Sequence, residues 1–155
     1  MKPNSSVPEQ ALLDALRRQR AELRESMSAL EDALAGPVSA GQARWAERVH
    51  VALVELSADF REHIVITEGK NGLYRDFLES TPRLSGAVAR LTQEHAQIRD
   101  LVDDLLGRVP TPESKEDMDT VRNLGTALLG MLVRHRQRGS DLVYAAYEVD
   151  VGGET

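Results

Sequence analysis

Apolar residues return every three to four positions along four long stretches of this chain, the period of α-helices that each bury one face. The first stretch runs from about Pro8 to Ala35, with Leu12, Leu16, Leu23, Met27, Leu30 and Leu34 on one seam. Gln19 occupies the one seam position that is not apolar, and Gly36–Pro37 ends the helix. The second starts near Ser39 or Gly41 and runs to about Glu68, with seam Trp45, Val49, Leu53, Leu56, Phe60, His63 and Thr67. Gly69–Gly72 breaks it, and LYRDFLEST forms a short continuation before Pro82. The third spans about Pro82 to Gly107, with seam Leu84, Val88, Leu91, His95, Ile98, Val102 and Leu105. After a loop in which Thr111–Pro112 suggests a helix start, the fourth spans about Ser114 to Val149. Its seam is Val121, Leu124, Leu128, Met131 or Leu132, His135, Gly139, Leu142 and Ala146, and VGGET is expected to fray.

No stretch alternates as a strand does, and no repeat or low-complexity tract occurs. Long amphipathic helices joined by short loops predict an all-α fold, an antiparallel up-down-up-down four-helix bundle. One domain is expected over residues 8–149, with flexible termini at 1–7 and 150–155. Composition agrees: the chain has 155 residues, 41% hydrophobic but only 4% aromatic, so aliphatic side chains and alanine must fill the core.

Charge and cysteine content remove several classes of function. A net charge of −6 argues against general nucleic-acid binding. Arg134, Arg136 and Arg138 make a local basic spot, yet at 100° per residue they share no face and read as solvated surface. Without cysteine there are no disulfides, thiolate metal sites or cysteine nucleophiles. No apolar run approaches the ~18 residues of a membrane span and MKPNSSVPEQ carries no apolar signal core, so the expected location is the cytoplasm, with no membrane partner. A homodimer is left open.

The informative residues are the polar ones on the seams. Three of the four histidines, His63, His95 and His135, each replace an apolar residue on a different helix, and Gln19 does so on the first. His50 lies off its stripe and reads as surface. A polar group in a bundle core costs roughly 1–3 kcal/mol unless it finds a partner. Imidazoles meeting at one level are what a bundle-core metal site requires, and hydrogen-bonded packing is the alternative. Spacing alone supplies no metal motif on the seam histidines: no HxxxH or HxxxE occurs. Ser140 near His135 lacks the third group and oxyanion hole of a hydrolase, and no heme attachment motif is present.

The segments LRRQRAELRESMSALEDALA, FREHIVITEG with GLYRDFLE, RLTQEHAQIRDLVDDL and LVRHRQRGSDLVYAAYE resemble the hemerythrin-like (HHE cation-binding) family, over about Pro8 to Val149. The resemblance implies a four-helix bundle around a non-heme di-iron centre. That centre takes a His from the first helix, HxxxE from the second, HxxxH from the third and HxxxxD or HxxxE from the fourth. Matched position by position, His63, His95 and His135 remain, but most of the di-iron ligands are replaced. Gln19 stands for the first His, Thr67 for the second-helix acid, Leu91 for the earlier third-helix His, and Gly139 or Ser140 for the fourth-helix acid.

A standard oxygen-binding di-iron site is therefore not expected. Two readings stay open. One is an altered, mononuclear or degenerate, iron- or zinc-type site on His63, His95 and His135, completed by Glu68, Gln19 or water and linked to oxygen, nitric oxide or peroxide handling. The other is a metal-free bundle serving as a sensor or protein-interaction module, its cofactor being none. In both, a pocket for a small ligand or metal ion is expected beside His135, lined by Thr67, Leu91, Gly139 and Ser140. No catalytic residue is assigned.

Overall fold

The computed structural model describes the backbone of residues 6–38, 41–110 and 114–153, and the side chains of residues 10–38, 41–110 and 114–147. Four long helices carry the fold: α1 (Ser6–Ala35), α2 (Gln42–Glu68), α4 (Ser85–Arg108) and α5 (Lys115–Gly153). A short α3 (Leu73–Ser80) and a 3-10 turn (Pro82–Leu84) link α2 to α4. Helix α1 packs along α2 and α4 along α5, while α2 neighbours α4 and α1 neighbours α5, closing a four-membered ring. No strand occurs among the described residues. Helix α5 runs on through Gly153, so Val151–Gly153, expected to fray, are helical; Thr111–Pro112 and residues 1–5 and 154–155 lie outside the described residues.

The seams are buried as their period requires. On α2 the buried set includes Trp45, Val49, Leu53, Leu56, Phe60, His63 and Thr67; on α4 it includes Val88, Leu91, His95, Ile98, Val102 and Leu105. One difference arises from helix rotation: on α1 Leu13 rather than Leu12 is buried. On α5, of the two residues Met131 and Leu132, it is Leu132 that is buried. His50 is half-buried, not surface, and its Nδ1 has no hydrogen-bond partner. Ser114 Oγ accepts the Asp117 N–H at 3.1 Å, satisfying one orphan donor at the start of α5.

Two glycines shape the corner between α2 and α3. A Cβ on Gly69 would stand 2.3 Å from the Val65 carbonyl oxygen, and one on Gly72 would stand 2.5 Å from that of Thr67. Only glycine allows this close approach, and the tight corner brings α3 back across the bundle. Tyr74 of α3 then stacks on the His95 ring, with centroids 5.9 Å apart and an interplanar angle of 11°.

The apolar core is divided in two. One cluster gathers residues such as Leu30, Leu53, Phe60, Ile98 and Leu128; the other gathers Leu16, Tyr74, Phe77, Leu91 and Leu142. Gln19, His95 and His135 each fall, in sequence, between the last residue of one cluster and the first of the other on their own helix, and His63 follows Phe60, the last buried α2 member of the first cluster. The polar seam residues thus form a single layer between two apolar blocks.

Candidate metal centre

Within that layer the three imidazoles meet edge to edge. His63, His95 and His135 are each at most 8% exposed. The Nε2 of His135 lies 3.3 Å from that of His63 and 2.9 Å from that of His95. Phe60 packs against all three rings, at centroid distances of 5.6, 5.6 and 6.2 Å. Helices α2, α4 and α5 each contribute one ring because each of their seams has one histidine at this level.

The other nitrogen of every ring is held by an acceptor. His63 Nδ1 faces Gln19 Oε1 at 3.2 Å, His95 Nδ1 faces Glu68 Oε2 at 2.7 Å, and His135 Nδ1 faces Glu94 Oε1 at 2.9 Å. The two carboxylates can only accept, so His95 and His135 donate from Nδ1. Gln19 is equally committed: its amide nitrogen donates to the Asp59 carbonyl at 2.6 Å, leaving Oε1 to accept from His63. All three rings therefore carry their proton on Nδ1 and turn a bare Nε2 lone pair toward the same point.

Electrostatics keep them neutral. Burial, then His95, His135 and Arg20, push the His63 pKa down to about 2. Burial, then His135, lowers His95 to about 3, against a raising contribution from Glu94. Burial also lowers His135, although its hydrogen bond to Glu94 opposes the shift. Burial alone would raise the Glu94 carboxyl, but hydrogen bonds from Arg138 and His135 outweigh it and hold it below the usual range. Burial raises Glu68, with Arg99 opposing.

The His135 Nε2 lone pair, 2.9 Å from that of His95 and 3.3 Å from that of His63, is repelled by both unless a cation stands among them. Nitrogens around one tetrahedral cation at about 2.0–2.1 Å lie about 3.3 Å apart, so the observed spacing needs little adjustment. The donor set therefore fits one metal ion. Anchoring each ligating imidazole through its other nitrogen is also the arrangement that fixes tautomer and orientation at histidine metal sites.

The same residues do not fit two ions. Thr67 directs its hydroxyl to the His63 carbonyl of its own helix at 2.8 Å. Leu91 is packed in the second apolar cluster, and Gly139 has no side chain. Gln19 and Glu68 sit on the Nδ1 side of the rings, where they orient His63 and His95 instead of converging with the Nε2 atoms. Of the residues expected around a pocket, Gly139 lines a narrow cavity with His63 and His135, while Thr67, Leu91 and Ser140 do not.

Glu94 and Arg138 were not legible in the sequence. Glu94 is 9% exposed and joins His135 to Arg138, so Arg138 is an ion-pair partner rather than a solvated charge. Its one signal is its place beside a seam histidine. Among the described residues a second group with ligand atoms close together is Glu22, Asp59 and Glu62, partly exposed and with Asp59 accepting from Ser26. No described helix is long and apolar enough to cross a membrane.

The family model described as the hemerythrin HHE cation binding domain matches residues 11–147. No curated protein and no solved structure matches the chain.

Proposed function

The chain belongs to the hemerythrin HHE cation-binding domain family, and on that footing we propose that it holds a single divalent metal ion on the Nε2 atoms of His63, His95 and His135. The observation that carries this reading is the convergence of three unprotonated nitrogens, each with its opposite nitrogen anchored. A set of three neutral imidazoles suits zinc, iron, copper or nickel, and iron is the metal that the family resemblance favours. When bound, such an ion offers an open position to a small ligand, which is the basis for dioxygen, nitric oxide or peroxide handling.

The protein's own contribution is separable from the metal. Gln19, Glu68 and Glu94 hold the proton of each ring on Nδ1, which keeps the ligating nitrogen free without any proton having to leave on binding. Phe60 and the flanking apolar blocks exclude water and keep the rings neutral. Arg138 keeps Glu94 ionised, so that its carboxylate continues to accept from His135.

The competing reading is a metal-free bundle used as a sensor or interaction module. In it the Nε2 atoms would share a proton, which the acceptors at each Nδ1 draw to the opposite nitrogen. Titration of chelator-treated protein with cobalt(II), followed in the visible region, separates the two. The proposal expects a one-to-one end point with the intense bands of a low-coordinate ion, lost in His63→Ala and His135→Ala. Cobalt uptake that leaves no visible change, or that persists in both variants, speaks for the metal-free bundle.

A further inference from the structure

A narrow cavity opens between α1 and α5, with His63 and His135 at its buried end and Arg20, Arg24 and Arg136 around its mouth. Its volume is about 20 Å³, room for one oxygen-sized group and little more. Leu23, Met27 and Leu132 make its walls apolar.

Among the described residues none of the three arginines has a carboxylate partner. The ion pairs among the described residues that involve arginine belong to Arg17, Arg75, Arg90, Arg108 and Arg138. Arg20 is half-buried, and its charge is opposed by burial and by Arg136 close by. Its guanidinium reaches α5 at Gly139, where an added Cβ would stand 3.7 Å from an Arg20 Nη atom. The missing side chain at Gly139 thus opens the space that Arg20 approaches. Two like charges drawn together in a partly dehydrated pocket are unfavourable until an anion joins them.

We infer that the mouth of this cavity between α1 and α5 is a binding site for a small planar monovalent oxyanion, of the class of nitrite or formate, held at the mouth by Arg20 with help from Arg136. The guanidinium fork matches two oxygens of such an anion, and the apolar walls strengthen the contact by excluding water. The narrow opening favours a flat anion over a tetrahedral one such as sulfate. The site rests on the arginines and the cavity, so it stands whether or not the histidines hold a metal.

Calorimetric titration of the full chain with nitrite and with formate, at constant ionic strength, tests it in chelator-treated and metal-loaded protein alike. The expected result is saturable binding of both anions but not of sulfate, weakened about tenfold or more by Arg20→Gln and less by Arg20→Lys. Circular dichroism checks that each variant is folded. If Arg20→Gln does not fold, Arg136→Gln at the exposed side of the mouth carries the same test. No saturable binding in either form of the protein, or an affinity that ignores these substitutions, overturns the inference. Metal content measured on the same samples reports separately on the histidines: anion binding through Arg20 in protein that takes up no metal leaves this site standing and removes the metal proposal.

Discussion

His95 Nε2 and His135 Nε2 stand 2.9 Å apart with no proton between them, because each ring directs its N–H to a carboxylate on the opposite side, Glu68 for His95 and Glu94 for His135. Two acceptors at that distance are a local instability in an otherwise well-packed bundle. A bound cation converts it into a stabilising contact, and the account's predictions follow from that conversion.

The first concerns pH in chelator-treated protein. The imidazoles titrate near their ordinary value in the unfolded chain but are pushed down in the fold, to about 2 for His63 and about 3 for His95, and lower than usual for His135. Between those values the unfolded chain binds more protons. Stability is therefore full above about pH 6.5 and is lost as pH falls below it, by up to about 1.4 kcal/mol per pH unit for each histidine. Urea midpoints measured from about pH 7 down to about pH 5 should decline steadily. A flat profile across that interval contradicts buried neutral imidazoles.

Glu94 should matter to metal affinity without being a ligand. In Glu94→Gln the amide still reaches His135 but no longer enforces the Nδ1 proton with a full charge. Affinity for zinc, measured by competition with a chromophoric chelator, should fall about 10- to 100-fold. The fold should remain, as judged by circular dichroism. An unchanged affinity would make Glu94 a packing partner of Arg138 and nothing more.

Two glycine substitutions should move stability in opposite directions. At Gly139 a Cβ meets only the Arg20 guanidinium at 3.7 Å, an ordinary contact. Gly139→Ala should therefore stabilise α5 by about 0.5–1 kcal/mol. At Gly72 a Cβ would collide with backbone oxygens of Thr67 and Ile66 at 2.5 and 2.8 Å. Gly72→Ala should destabilise by more than about 1 kcal/mol and loosen Tyr74 from His95. Thermal denaturation of the two variants checks both signs.

The architecture was legible because burial of one helical face imposes a period, and the seams from Leu16 to Leu34, Trp45 to Thr67, Leu84 to Leu105 and Val121 to Ala146 display it. The three histidines and Gln19 stood out as polar interruptions of those seams, which is why their common layer was expected. The partners that set their tautomers were not visible in the same way. Glu94 lies beside the α4 stripe rather than on it, and it is buried only because α5 brings Arg138 and His135 against that flank. Arg20 and Arg136 are likewise ordinary surface positions on their own helices, and they become a pair only when α1 and α5 are placed side by side. Seam residues follow from one helix at a time; flank residues depend on the relative rotation of two.

Metal content of protein purified without chelators tests the central claim most directly, measured by elemental analysis alongside the His63→Ala/His95→Ala/His135→Ala variant. The account predicts close to one divalent metal ion per chain in the unaltered protein and its loss in the variant, with a lowered melting temperature when excess chelator removes the ion. Less than about 0.1 metal per chain in the unaltered protein, with no uptake on adding zinc or iron(II) and a melting temperature indifferent to chelator, would contradict it.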